Sequence, residues 1–105
     1  MPFIDENSNG QGPFFEGEWG EDAQVPAVYG IRDGVPGSYA IIFIGETGDL
    51  KDAISKLRSD ERHCIYHYRP LDVLLEIIRD ERLRHQRCND LIEEYRPPCN
   101  LRGAT

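Results

Sequence analysis

A chain of 105 residues, 39% hydrophobic and 30% charged, is sized for one compact domain with a small core; two full domains and a wholly disordered chain are excluded. No apolar run approaches the roughly 20 residues of a membrane-spanning helix, and the first residues lack the basic-then-apolar pattern of a secretory leader, so a cytoplasmic protein is expected. Twelve basic against nineteen acidic residues leave a net charge of −7, which disfavours a protein that gains affinity by neutralising many phosphates.

That charge is unevenly spread. Residues 1–24 hold Asp5, Glu6, Glu16, Glu18, Glu21 and Asp22 without any Lys or Arg, so these six carboxylates leave only −1 for the rest of the chain. Gly10, Gly12, Gly17, Gly20, Pro2 and Pro13 resist regular structure in the same segment. Phe14, Phe15 and Trp19 are too large and apolar to be left in water. Residues 1–24 therefore read as an acidic, aromatic arm that either caps the core or docks on a partner.

From Val25 the texture becomes that of a folded domain. The run VPAVYGIRD, the turn residues Gly34-Val35-Pro36-Gly37 and the run SYAIIFIG predict a hairpin. Strict alternation puts Tyr39, Ile41 and Phe43 on one face and Ala40, Ile42 and Ile44 on the other, so both faces are apolar and a central strand is expected. Asp49 is a good N-cap for a helix from Leu50 to about Arg58, with Leu50, Ile54 and Leu57 in one buried stripe. CIYHYR, residues 64–69, offers a third strand, and a long helix is predicted from about Leu71 to Tyr95, stopped by Pro97-Pro98. Its inner stripe is apolar at Leu74, Ile77 and Ile78 and again at Leu91, Ile92 and Tyr95, but passes through Glu81, Arg84, His85 and Cys88. A polar middle means a functional wall or a stretch that overhangs the sheet.

Three cysteines, Cys64, Cys88 and Cys99, are too few for a disulfide framework, so reduced thiols are expected. Cys64-x-x-His67 and His85-x-x-Cys88 have zinc-ligand spacing, but they fall in a predicted strand and helix rather than on turns, which favours ordinary thiols and histidines. Cys88 could act as a nucleophile if Arg84, one turn earlier, lowered its pKa with His85 nearby.

Four motifs in order then carry a resemblance. Pro26-Ala27-Val28-Tyr29, Phe43-Ile44-Gly45, Thr47-Gly48-Asp49-Leu50, and Leu91-Ile92 followed by Arg96-Pro97-Pro98-Cys99-Asn100 resemble the motifs of the GIY-YIG endonuclease domain over residues 25–100. The resemblance implies an α/β fold in β-β-α-β-α order, a small three-stranded antiparallel sheet flanked by helices. It also implies metal-dependent hydrolysis of a DNA phosphodiester, with an activated water, a divalent cation and donors for the charge of the transition state.

Carried over position by position, that site is Tyr29, Phe43, Ala53, Cys88 and Asn100. Tyr29 and Asn100 match the family. Phe43 stands for a tyrosine and lacks its hydroxyl; Ala53 stands for an arginine, and Lys56 one turn on offers only a point charge. Cys88 stands for a glutamate, a soft thiol where Mg²⁺ takes a hard carboxylate. Losing one preorganised donor costs on the order of 10²–10³ in rate. The expectation is a GIY-YIG-like domain, with residues 101–105 as a tail, that has lost catalytic residues and serves as a binding or regulatory module without a cofactor. One alternative is a living endonuclease whose Mg²⁺ or Mn²⁺ has moved to Tyr29 and Glu81, unless Glu81 pairs with Arg84 or Arg58. Another is a protein-interaction module built on residues 1–24. DNA enters as a partner only through the resemblance, and the charge does not favour it.

Overall fold

The computed structural model describes residues 11–13, 23–34 and 40–101. Phe14, Phe15, Trp19, Tyr39, the turn at 35–39 and residues 102–105 lie outside them. Chain order is β1 (Gln11–Pro13), β2 (Ala27–Asp33), β3 (Ile41–Thr47), α1 (Leu50–Ser59), a 3-10 helix (Cys64–His67), β4 (Pro70–Ile77), α2 (Glu81–Tyr95) and α3 (Pro98–Leu101). The sheet is antiparallel, in spatial order β1-β4-β2-β3, so the three long strands form the expected small sheet and a three-residue strand from the arm lengthens it at one edge.

Helices cover both faces. On one side Ala27, Tyr29, Ile31, Val73 and Leu75 of the sheet pack against Leu50, Ile54 and Leu57 of α1, with Ile65 and Cys99 completing the cluster. On the other, Val28, Ile44 and Leu74 pack against Cys88 and Leu91 of α2. The central strand β2 is buried on both faces along almost its whole length, apolar from Ala27 to Ile31 and charged only at its end, Arg32 and Asp33.

α1 forms as its sequence predicts. The Asp49 carboxylate accepts the Asp52 N–H at 3.1 Å, and Leu50, Ile54 and Leu57 make its buried stripe. The Leu50 N–H donates to the Val25 carbonyl at 2.9 Å, tying the helix start to the entry of β2.

Three expectations are corrected. The third strand is Pro70–Ile77, and Cys64–His67 is a 3-10 helix. Pro70 leads into residues whose two faces serve different layers: Val73 and Leu75 face the α1 side, Leu74 the α2 side, while Asp72 pairs with Arg32 and Glu76 with Arg87. A strand apolar on both faces has no alternation to distinguish it from a helix. The last long helix accordingly starts at Glu81, where the Asp80 carboxylate accepts the Leu83 N–H at 3.0 Å. It ends at Arg96, which adopts a left-handed conformation at φ 48° before Pro97.

The strand expected to be central, β3, lies at the edge. Its register slips so that Ile31 faces Phe43 and Arg32 faces Ile41, leaving Ile42 as a bulge. Ile42 and Phe43 both join the α1-side cluster, so strict alternation fails there. The outer edge is closed by a side chain: the Ile44 N–H donates to Asn100 Oδ1 at 2.7 Å, and Asn100 Nδ2 donates to the Ile44 carbonyl at 2.8 Å. One carboxamide thus takes the place of a neighbouring strand.

The third correction concerns the thiols. Cys64 and Cys99, 35 residues apart in sequence, are joined in a disulfide with a Cα–Cα distance of 5.5 Å. The fold brings the 3-10 helix and α3 together on the α1 side, a long-range proximity that cysteine spacing does not encode. Cys88 is free and buried.

Candidate functional site

Tyr29, in the middle of β2, stands directly opposite Gly45 of β3. A Cβ at position 45 would lie 2.7 Å from both Cζ and Oη of Tyr29, so glycine is what lets the phenol ring lie across the edge strand. The Tyr29 and Phe43 ring centroids are 6.2 Å apart, and Phe43 meets His63 in a T-shaped contact at 4.9 Å. His63 in turn accepts the Ile65 N–H on Nδ1 at 3.2 Å, an arrangement suited to the neutral ring. Burial holds its pKa below the usual histidine value, against the opposing pull of Asp60.

Across the edge strand lies a polar cluster. Glu46, next to Gly45, receives His85 of α2, with Nδ1 2.7 Å from Oε2. The Nε of Arg84 lies 3.6 Å from its other oxygen, Oε1. Arg84 is nine-tenths buried, and its Nη1 donates to the Ile78 carbonyl at 3.3 Å. His85 Nε2 is 3.3 Å from the Asn89 side-chain nitrogen, so Glu46, His85 and Asn89 form a short polar chain along α2.

Cys88 lies beside this carboxylate, 5% exposed. Burial first and the negative charge of Glu46 second push its pKa up to about 11. The condition for a nucleophilic Cys88 is therefore not met: the Arg84 guanidinium faces Glu46, and the thiol stays protonated near neutral pH. Tyr29 is pushed up to about 12, by burial and then by the neighbouring Cys88 sulfur. Both groups are proton-bearing and neutral at physiological pH.

The fold thus brings Tyr29, Phe43, Cys88 and Asn100 around the β3 segment 43–46, with Asn100 acting through the Ile44 backbone. Ala53 is half-buried on α1, packed against the cluster that contains Tyr29. Lys56 pairs with Asp52 at 2.9 Å on the exposed side of that helix. Glu81 is exposed in the first turn of α2, and Arg84 turns to Glu46 rather than to it. The polar middle of the α2 stripe divides: Arg84 and Cys88 are buried in the wall, and His85 and Glu81 are exposed.

Neither Glu46 nor His63 figures in the sequence-based site. A signal for Glu46 exists, because a strand continued past Gly45 places residue 46 on the same face as Ile44, toward α2. Among the described residues, no three or more of His, Cys, Asp and Glu are grouped to hold a metal ion. Of the two zinc-spaced pairs, Cys64 is committed to the disulfide and His85 to Glu46. No helix among the described residues is long and apolar enough to cross a membrane.

No family model matches the chain, and no curated protein is detectably similar to it in sequence. Solved structures do match. A point variant of the GIY-YIG N-terminal endonuclease domain of UvrC from Thermotoga maritima, bound to its catalytic divalent cation, superposes with a TM-score of 0.61 at 19% identity, covering 72% of this chain and 82% of that one. The same domain bound to magnesium gives 0.59 at 21% identity, covering 72% and 83%. The strand and helix order, the antiparallel sheet and this likeness together establish that the chain has a GIY-YIG-like fold.

Proposed function

We propose that this GIY-YIG-like domain does not hydrolyse phosphodiesters efficiently and serves as a binding or regulatory module. The observation that carries the reading is the state of position 88, where the family resemblance calls for a glutamate: a buried thiol that stays protonated, beside a carboxylate whose oxygens face Arg84 and His85. A hard divalent cation takes oxygen ligands, and this donor set does not fit one. Phe43 packs between Tyr29 and His63 as an apolar ring, and Ala53 contributes a methyl to a core where the resemblance calls for a guanidinium. With several donors replaced together, the transition state loses stabilisation of about 3–4 kcal/mol for each, which raises the barrier, though such losses are not additive.

The excess of carboxylates supports a ligand other than DNA, and the short pairing of Gln11–Pro13 with β4 supports an arm that docks on the domain. A plasmid-nicking assay with Mg²⁺ and Mn²⁺ tests the reading. Background-level nicking by the native chain is expected. Turnover that Tyr29→Phe abolishes would refute it.

A further inference from the structure

Asn100 belongs to a four-residue helix, too short to hold its shape alone. Two things fix it: burial of Pro97 and Cys99, and the disulfide from Cys99 to Cys64. The next residue, Asn100, makes the paired hydrogen bonds that close the free edge of β3 at Ile44. At the other end, Cys64 follows His63, whose ring supports Phe43. One covalent bond therefore joins the two segments that hold residues 43 and 44, the strand segment between Tyr29 and the Glu46 cluster.

We infer that the Cys64–Cys99 disulfide is a thiol-exchange site that latches this edge, and that reduction by a dithiol releases the Asn100 carboxamide from Ile44. Entry is through Cys64, which is half-buried, because Cys99 is fully buried. A thiolate of the dithiol attacks Cys64 Sγ, the Cys64–Cys99 bond breaks, and Cys99 leaves as a thiolate that takes a proton. The second thiolate of the dithiol then attacks its own partner sulfur in the mixed disulfide, releasing Cys64. Two electrons pass to the protein and the dithiol becomes a cyclic disulfide. Cys88 takes no part, since it is buried among Val28, Ile44, Leu74 and Leu91 on the opposite face of the sheet.

In the reduced form α3 keeps only non-covalent contacts, and once the Asn100 carboxamide leaves, the Ile44 N–H and carbonyl become a free strand edge. The inference is independent of whether the domain cleaves DNA.

Amide hydrogen exchange of the full chain, followed by NMR before and after dithiothreitol, tests it. Reduction is expected to speed exchange at the Ile44 amide by about tenfold or more while Ile31, in the central strand, stays protected. Asn100→Ala is expected to bring Ile44 to the fast rate in both redox states. Unchanged Ile44 exchange on reduction would overturn the proposal. So would a uniform loss of protection across β2 and β4, which would make the bond a staple of the whole domain. Mass spectrometry after alkylation in denaturant is expected to find one modified cysteine, Cys88, in the isolated protein; three modified cysteines would also overturn it.

Discussion

On the α1 side of the sheet the core is built from Ala27, Ile31, Ile42, Ile54, Ile65 and Val73, all at most 1% exposed. On the α2 side Val28, Ile44 and Leu91 are as deeply buried, but the same layer takes in the Cys88 thiol and the Arg84 guanidinium, closed by Glu46. The first face derives its energy from close packing, which has no tolerance for lost volume. The second spends part of its burial on charge, which yields little net stability but fixes which groups sit beside the edge strand. Close apolar packing and buried charge are therefore divided between the two faces, while the motif residues Tyr29 and Phe43 on one and Cys88 on the other meet at the edge strand, and substitutions should separate the two contributions.

The largest effect is expected on the apolar face. Ile54→Ala removes a fully buried side chain between α1 and the sheet and should cost about 3–4 kcal/mol in urea unfolding. On the polar face, Glu46→Gln should cost only about 1–2 kcal/mol, from the weakened pairing with Arg84 and His85. It should also lower the pKa of Cys88 from about 11, read as faster alkylation at a given alkaline pH. Equal stability losses at the two positions, or an unmoved Cys88 titration, would erase the distinction.

A pH dependence sharpens the comparison further. His63 lies on the Phe43 side and its folded pKa is lowered, chiefly by burial. The unfolded chain, with a histidine pKa of about 6.5, therefore binds the proton more readily than the folded one. This contribution to stability is fully present above the unfolded value and is lost as pH falls below it toward the folded value. The urea midpoint should drop as pH falls below the unfolded histidine value of about 6.5, and His63→Gln should flatten that part of the profile. The smallest effect is expected at Arg96, where a left-handed residue ends α2: Arg96→Gly should stabilise the domain by about 0.5–1 kcal/mol in thermal unfolding.

What the sequence revealed follows the same division. α1 was legible because its cap and stripe are local: Asp49 sits one residue before Leu50, and Ile54 and Leu57 follow at helical spacing. The hairpin strands were legible from composition, and the end of α2 from Pro97. The strand Pro70–Ile77 was not, because burial on both faces erases the period that separates strand from helix. The edge position of β3 was hidden for another reason. Its missing neighbour is a single carboxamide 56 residues away, and no local pattern announces that. The disulfide and the Glu46 cluster are likewise products of tertiary proximity, between segments 35 and 39 residues apart. The motif residues Tyr29, Phe43, Cys88 and Asn100 were all named from the chain, while two of their neighbours were not: Glu46, which adds to the effect of burial on Cys88, and His63, which packs against Phe43.

The central claim is that the β3 segment 43–46 and its surroundings offer no seat for a catalytic divalent cation. Titration of Mn²⁺ into the native chain, followed by electron paramagnetic resonance, tests this without reference to any substrate. The account predicts no saturable binding by the native protein, and binding gained by the Phe43→Tyr, Ala53→Arg, Cys88→Glu combination. Saturable binding by the native chain that Glu81→Ala or Tyr29→Phe removes would contradict it.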